Sequence, residues 1–411
     1  ESIADLISSE TEIQRKQAIK IMSGKSSDKF NSLRERLIKI LSNIEAKIDF
    51  PEDDLPSDIL KNIHSETKKI KNLYTWDDNF KLRKKFQIKK ISKLKFVLNK
   101  VDYIVLSPGV SLKKNENKIK LSNFKNKIIT DIDLLFLRNE KFKSIVVTGT
   151  NGKSTTCKII HHLLKKNNFN AVLGGNIGTP VLNQKIKKGC FFIIEASSFQ
   201  LSHSKFIKPN YALLLNITND HLDWHGSMKN YTDSKFKIFN LQKREDFALM
   251  NNNFQNKFKK RKYKSRYINL RKNSYQKLKF KIKNDYLKSE SNNENMYFVY
   301  TLAKLLNIKK NSFIKALNSF SGLSHRNETF FKKRNIVFIN DSKATSFQAT
   351  KYALSSNKNI YWILGGLPKY NDSIILKNLK KNIKKTYIIG KNTNFFIKQL
   401  KNQIKFSVTK T

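Results

Sequence analysis

Apolar positions along the chain follow two rhythms. Over the first seventy residues they recur at helical spacing. Phe30, Leu33, Leu37, Leu41, Ile44 and Ile48 share one face of a long helix that stops before Pro51, and Ser9-Glu-Thr-Glu12 has capping-box spacing. Another helix is predicted over Ser57–Lys71, after the acidic turn Pro51-Glu-Asp-Asp-Leu-Pro56. From Leu73 the rhythm changes, and short β-branched or aromatic runs alternate with amphipathic stretches. Residues 101–106, 145–147, 171–173, 191–194, 211–217, 336–339, 360–364 and 386–389 read as buried strands, most ending in a glycine-containing or polar loop. Residues 287–322 read as helical. Strand, loop and helix in alternation predict an α/β chain with a central parallel sheet, a second parallel sheet from about residue 336, and polar loops at the carboxyl edges of both.

The stretch Ser144-Ile-Val-Val-Thr-Gly-Thr-Asn-Gly-Lys-Ser-Thr-Thr156 carries the most explicit chemistry. It reads as a buried strand, a tight loop from Gly149 through Thr150, Asn151 and Gly152 to Lys153, and an amphipathic helix from Ser154 and Thr155 onward. Glycines let backbone N–H groups approach phosphate oxygens, and the helix N-terminus adds partial positive charge. Lys153 reaches the outer phosphates and Ser154 is placed to ligate Mg²⁺. Val147 stands where the general phosphate-loop pattern has a glycine. The alternative is an ordinary glycine turn.

Other polar groups follow strand ends. Ser107-Pro108-Gly109 forms a turn, and Gly174-Gly-Asn-Ile-Gly178 a glycine-rich loop. Glu195 closes the run Phe191-Phe-Ile-Ile; a charge there is costly unless paired or metal-bound, so it reads as a Mg²⁺ ligand or as half of a structural ion pair. Asp220, His221 and Asp223 cluster past the end of the 211–217 strand, with Lys235 on the helix that follows.

Composition changes this picture little. The 411 residues carry 81 Lys+Arg against 32 Asp+Glu, a formal net charge of +49. Such an excess points to nucleic acid or another polyanion. Here it is mostly lysine, spread along the chain beside abundant Asn, Ile and Phe, a mixture that AT-rich coding sequence also produces, so nucleic acid is not the expected partner. The densest run, Lys257–Lys283, reads as a solvated insertion. No segment approaches the roughly 18 to 20 apolar residues of a membrane span. Cys157 and Cys190 form no metal-binding spacing and no disulfide framework, which makes a reducing cytoplasm the expected compartment; a monomer is the expected state.

In order along the chain stand WDDN at 76–79, SPG at 107–109, GTNGKST at 149–155, GGNIG at 174–178 and EASSFQL at 195–201. NDH follows at 219–221 with Lys235 downstream, then HRNE at 325–328, NDSKAT at 340–345 and LGG at 364–366 with Lys369. From about residue 73 onward this set resembles the Mur ligases, and most of all the members that add D-glutamate to UDP-N-acetylmuramoyl-L-alanine (UDP-MurNAc-L-Ala). The resemblance implies a peptidoglycan-precursor ligase that uses ATP and Mg²⁺ and passes through an acyl phosphate. It implies a partial UDP-binding α/β domain at 73–140, a central ATP-binding domain at 141–322 and a truncated Rossmann-like domain at 323–411. By the same resemblance Lys153, His221, Lys235 and Lys343 are catalytic. Ser154, Glu195, His221 and a carbamylated Lys235 serve Mg²⁺; Asn292, Asn295, Arg326 and Asp341 contact the nucleotide. Asp77, Ser107, Pro108, Gly109, Asn176, Ser197, Gln200, Thr345 and Lys369 contact the substrates. Residues 1–72, with ESIADLISSETEIQRKQAIKIMSG and LRERLIKILSNIEAKIDFPEDDLP, resemble part of the helical domain of the tRNA-modifying GTPases of the MnmE (TrmE) family. That segment stands where Mur ligases carry their first strand and glycine-rich loop, and Ile404–Thr411 stops before the serine-containing segment that grips D-glutamate. The expectation is a fused, truncated ligase that binds ATP and Mg²⁺ but ligates poorly. The competing expectation is an RNA-associated or scaffold protein built on the helical front segment.

Overall fold

The computed structural model describes residues 74–76, 94–107, 110, 112, 121–138, 141–184, 186–323, 325–344, 346–368 and 373–409. The front helical block at 1–72 lies outside them. The chain divides into two compact units: one runs to Lys281 and takes in Glu294–Leu317, and the other comprises Ile282–Asn293 and Asn318 onward.

The first unit begins with α1 (Leu94–Lys100), β1 (Ile104–Val105), β2 (Ile128–Ile129) and α2 (Asp131–Phe136). The strand expected over 101–106 contracts to two residues, which pair in parallel with β2. Leu98, Ile104, Leu121 and Ile128 form a small core there. Lys127 Nζ closes the end of α1 by donating to the carbonyls of Asn99 and Val101, each at 2.8 Å, groups a helix leaves without intrahelical partners. Thr130 and Asp133 cap α2 reciprocally.

Next come β3 (Lys143–Thr148), α3 (Lys153–Lys166), β4 (Ala171–Gly175), β5 (Phe191–Glu195), α4 (Ser198–His203) and β6 (Tyr211–Leu214). They are followed by α5 (Leu222–His225), α6 (Met228–Phe236), β7 (Phe247–Met250), α7 (Gln255–Lys260), β8 (Arg266–Ile268) and α8 (Lys272–Lys279). The strands form one parallel sheet in the order β4-β5-β3-β6-β7-β8. β5 and β6 are buried along their whole length, as runs without alternation require in a sheet covered on both faces. α3 lays Ile159, Ile160, Leu163 and Leu164 into the core and carries Lys165 and Lys166 in its last turn, where the helix dipole favours cations.

The stretch expected to be a solvated insertion is part of this unit. Between Lys257 and Lys283 it supplies the edge strand β8 and the helix α8, and buries Phe258, Tyr275 and Leu278. The lysines between them kept the apolar spacing from reading as an element, since their long stems lie along the surface while their charges stay in water.

The helices α9 (Asp285–Lys288), α10 (Glu290–Leu305) and α11 (Lys310–Asn318) follow. In the second unit, β9 (Glu328–Lys333) and β10 (Ile336–Asn340) form an antiparallel hairpin. The 336–339 strand therefore does not join a parallel sheet: the two-residue turn Arg334-Asn335, with Arg334 left-handed at φ 51°, returns the chain on itself. Helix α12 (Phe347–Ser356), β11 (Ile360–Gly365), β12 (Ile383–Ile389), α13 (Thr393–Leu400) and β13 (Phe406–Val408) complete it, with the last three strands parallel in the order β11-β12-β13. Among the described residues no helix is long and apolar enough to cross a membrane, and both cysteines are buried and free.

Candidate functional site

The register of the central sheet decides which side chains meet. Val147 of β3 stands opposite Glu195 of β5, and Thr148 opposite Leu214 of β6. The loops after these three strands therefore open on one edge. The chain crosses from one side of β3 to the other between β5 and β6, so this edge lies at a topological switch point, where open α/β sheets bind ligands.

The loop after β3 is held from two sides. Thr150 N–H donates to Asn216 O at 2.9 Å and Asn151 N–H to Asn216 Oδ1 at 2.8 Å. Thr150 Oγ1 accepts from Thr218 N–H at 3.0 Å and lies 2.9 Å from the Tyr231 hydroxyl. Gly152 is left-handed at φ 82°, and a Cβ there would stand 2.1 Å from Asn295 Oδ1, so only glycine fits. Lys153 Nζ donates to Gly149 O at 3.0 Å and Thr150 O at 2.8 Å.

A polar cleft of about 100 Å³ opens beside this loop. Thr150, Lys153, Tyr231 and Lys235 line one part of it; Asn176, Ser197, Ser198, Phe199, Asp220 and His221 line the rest. Lys235 is 1% exposed, donates to Gly149 O at 2.8 Å and holds its ammonium 4.6 Å from the centre of the Tyr231 ring. Burial pushes its pKa well below that of an ordinary lysine, and the charge of Lys153 adds to the effect against Asp220 and Glu195. Glu195 is 2% exposed, and its Oε1 accepts from Asn176 Nδ2 at 3.2 Å. His221 is left-handed at φ 52°; its ring centre lies 4.7 Å from that of Phe199, and its Nε2 is 3.5 Å from Asp220 Oδ2.

The structure thus gathers Thr150, Lys153, Asn176, Ser197, His221 and Lys235 into one cleft. Glu195 adjoins it through Asn176, while Gly149, Asn151, Gly152, Ser154 and Thr155 form the loop and first helical turn. Other expected residues stand elsewhere. Gln200 does not line the cleft: its Oε1 accepts from Ser197 N–H at 3.1 Å and its Nε2 donates to Asp131 at 3.2 Å, so it is a capping and bridging residue. Asn292 donates to Tyr286 O at 2.9 Å and ties the turn before α10. Ser107 is exposed in the front segment. Arg326, Asp341 and Lys343 belong to the second unit, where Asp341 Oδ1 accepts from Asn327 N–H at 2.9 Å and burial raises its carboxyl pKa. Asp77, Pro108, Gly109, Thr345 and Lys369 lie outside the described residues. Sequence reasoning missed Tyr231, although it sits four residues before Lys235 on one helix face. It also missed Asn216 and Glu294, discussed below.

Comparison with known proteins identifies the family. Residues 147–313 match the model of the Mur ligase middle domain. The chain is 34% identical over 377 positions to "UDP-N-acetylmuramoylalanine--D-glutamate ligase" of Rickettsia bellii, covering 84% of this chain and 83% of that protein. It is 30% identical to the protein of the same name from Wolbachia pipientis, with 84% of each chain covered. The chain belongs to the Mur ligase family. Solved Mur ligases share the fold at lower identity: MurC of Thermotoga maritima at TM-score 0.51 and 17% identity, covering 75% of this chain and 77% of that one, and MurF of the same organism in complex with ADP at 0.51 and 15%, covering 75% and 79%. The likeness of residues 1–72 to an MnmE fragment is not borne out by these comparisons.

Proposed function

We propose that this Mur ligase joins D-glutamate to UDP-MurNAc-L-Ala at the expense of ATP, as a step of peptidoglycan precursor synthesis. The observation that carries this reading is the convergence of the Lys153 loop, Glu195, His221 and Lys235 at one edge of one sheet in a chain 34% identical to a ligase of that name.

The first-turn N–H groups of α3 and the Lys153 ammonium hold the triphosphate, with Asn295 packed beneath Gly152. The buried Glu195 carboxylate and the Ser154 hydroxyl are the hard oxygen donors that would hold Mg²⁺. When bound, Mg²⁺ neutralises charge on the transferring phosphoryl group. His221 and a carbamylated Lys235, whose carbamate would supply oxygen ligands in place of an ammonium, would hold a second Mg²⁺. Asn176 orients Glu195 and, with Ser197, faces the muramoyl substrate. Lys153 leaves its two loop carbonyls to meet the phosphoryl charge as the alanyl carboxylate attacks the γ-phosphorus and ADP leaves; the D-glutamate amine then attacks the acyl phosphate carbonyl, loses a proton and displaces phosphate. Arg326 and Asp341 for the nucleotide, and Lys343 for the incoming amino acid, are assigned by the resemblance of the HRNE and NDSKAT stretches alone.

The test is ADP release by the full chain with ATP and Mg²⁺. The expected result is release that requires both UDP-MurNAc-L-Ala and D-glutamate and is lost in Lys153→Ala together with ATP affinity. No ATP binding, combined with salt-dependent RNA binding that survives Lys153→Ala, would replace the ligase reading with the RNA-associated one.

A further inference from the structure

Glu294, near the start of α10, reaches the phosphate loop through one intermediary. Its Oε2 accepts from Asn216 Nδ2 at 2.9 Å and its Oε1 from Asn251 Nδ2. Asn216 in turn grips the loop at both backbone groups of one residue: its Oδ1 takes the Asn151 N–H at 2.8 Å, and its Nδ2 reaches Asn151 O at 3.3 Å. Asn251 is fixed independently by donating to Leu215 O at 3.2 Å. We propose that Glu294 is a positioning residue for the nucleotide: its carboxylate sets the orientation of the Asn216 amide, and that amide fixes the conformation of the phosphate loop at Asn151.

The argument is one of donor and acceptor types. An amide side chain can turn either way round at little intrinsic cost, and only its partners decide. An ionised carboxylate accepts and never donates, so it admits only the Nδ2 end of Asn216. Oδ1 then necessarily faces the loop, where it receives the Asn151 N–H. Asn216 thus occupies both the Asn151 N–H and the Thr150 N–H, which fixes the course of the loop into the first turn of α3. With the amide reversed, two N–H groups would confront each other at Asn151. Asn295, one residue after Glu294, fills the space against Gly152, so the same turn of α10 supports the loop at two successive residues.

This inference rests on the reading of the loop as an ATP site, and a cycle of variants separates the two. ATP affinity of the full chain is measured by titration calorimetry with Mg²⁺, and KM for ATP and for UDP-MurNAc-L-Ala by ADP release. Glu294→Ala is expected to weaken ATP about tenfold and raise KM for ATP with KM for UDP-MurNAc-L-Ala unchanged, a split that general destabilisation would not produce. Asn216→Asp sets two carboxylates face to face and is expected to lose more. Adding Glu294→Gln to it restores a donor opposite an acceptor, so the double variant N216D/E294Q should bind ATP better than N216D alone. ATP affinity unchanged in Glu294→Ala, or a double variant no better than N216D when Glu294→Ala does not fold, overturns the inference while leaving the ATP site standing. A wild-type chain that binds no ATP overturns the reading beneath it.

Discussion

Acid should weaken the wall of the cleft, through His225. This side chain is 4% exposed; its Nε2 stands 3.0 Å from Ser198 Oγ and its Nδ1 3.5 Å from Ser234 Oγ, so it joins the start of α4 to the helix that carries Lys235. Burial, reinforced by the charge of Lys235, holds its pKa down at about 4 against an ordinary 6.5. The unfolded chain therefore takes up a proton below pH 6.5 that the fold refuses until about pH 4. Stability is intact above pH 6.5 and declines as pH falls through this window. Linkage gives a loss of about 2 kcal/mol by pH 5 and about 3 kcal/mol in full. His225→Gln keeps a donor and an acceptor but cannot titrate. It is expected to cost about 1–2 kcal/mol at pH 7.5, and that deficit should shrink by about 2 kcal/mol at pH 5. Urea unfolding followed by tryptophan emission reads this directly, because the Trp224 ring centre is 4.6 Å from that of His225. Other groups titrate alike in both proteins and cancel in the difference. A deficit equal at both pH values refutes the reasoning.

Three further outcomes are expected. Gly152→Ala forces a side chain into a left-handed position and against Asn295, which should cost about 2–3 kcal/mol in urea unfolding and lower ATP affinity at least about tenfold by calorimetry; undiminished affinity would count against the loop geometry. Tyr275→Ala removes a fully buried ring in the lysine-rich stretch and should cost about 3–5 kcal/mol, whereas a change below about 1 kcal/mol would return that stretch to a solvated insertion. Burial raises the Asp131 carboxyl to about 6 from an ordinary 3.8, so the fold binds its proton more readily than the unfolded chain does and wild type gains stability as pH falls through that range. Against Asp131→Asn, melts at pH 7.5 and 5 should show wild type gaining about 1 kcal/mol, and parallel melts would contradict it.

The central sheet was legible because its strands are unbroken apolar runs and its loops carry chemistry at fixed offsets. β5 and the Lys153 loop need no tertiary information to be recognised. β8 was hidden for the opposite reason: Arg266-Tyr-Ile268 has three residues amid lysines, and its burial comes from β7, which pairs with it, rather than from its own pattern. The β9–β10 hairpin escaped because the exposed Phe330 and Phe331 give no inward face to read, so the strand before the Arg334-Asn335 turn went unseen. Gln200, inside a substrate-site motif, hydrogen-bonds the cap of α4 and, 69 residues away, Asp131, contacts the motif itself does not disclose. Asn216 and Glu294 lie 78 residues apart, and their pairing rests on hydrogen-bond complementarity that leaves no periodic trace.

The charges around Gly149 give a reason for the cleft that does not depend on any motif. The amino groups of Lys153 and Lys235 donate to the same carbonyl at 3.0 and 2.8 Å. One of them is almost wholly buried, where an ammonium is costly and a like charge nearby makes it more so. A fold selected for stability alone would place a methyl group at Lys235, since replacing a buried charge by a well-packed apolar side chain is often neutral or better. Asp220 and Glu195 counter part of this positive charge. The feature of this edge that suits phosphate is the loop backbone itself, with its glycine at 152 and the N-terminus of α3 beside it.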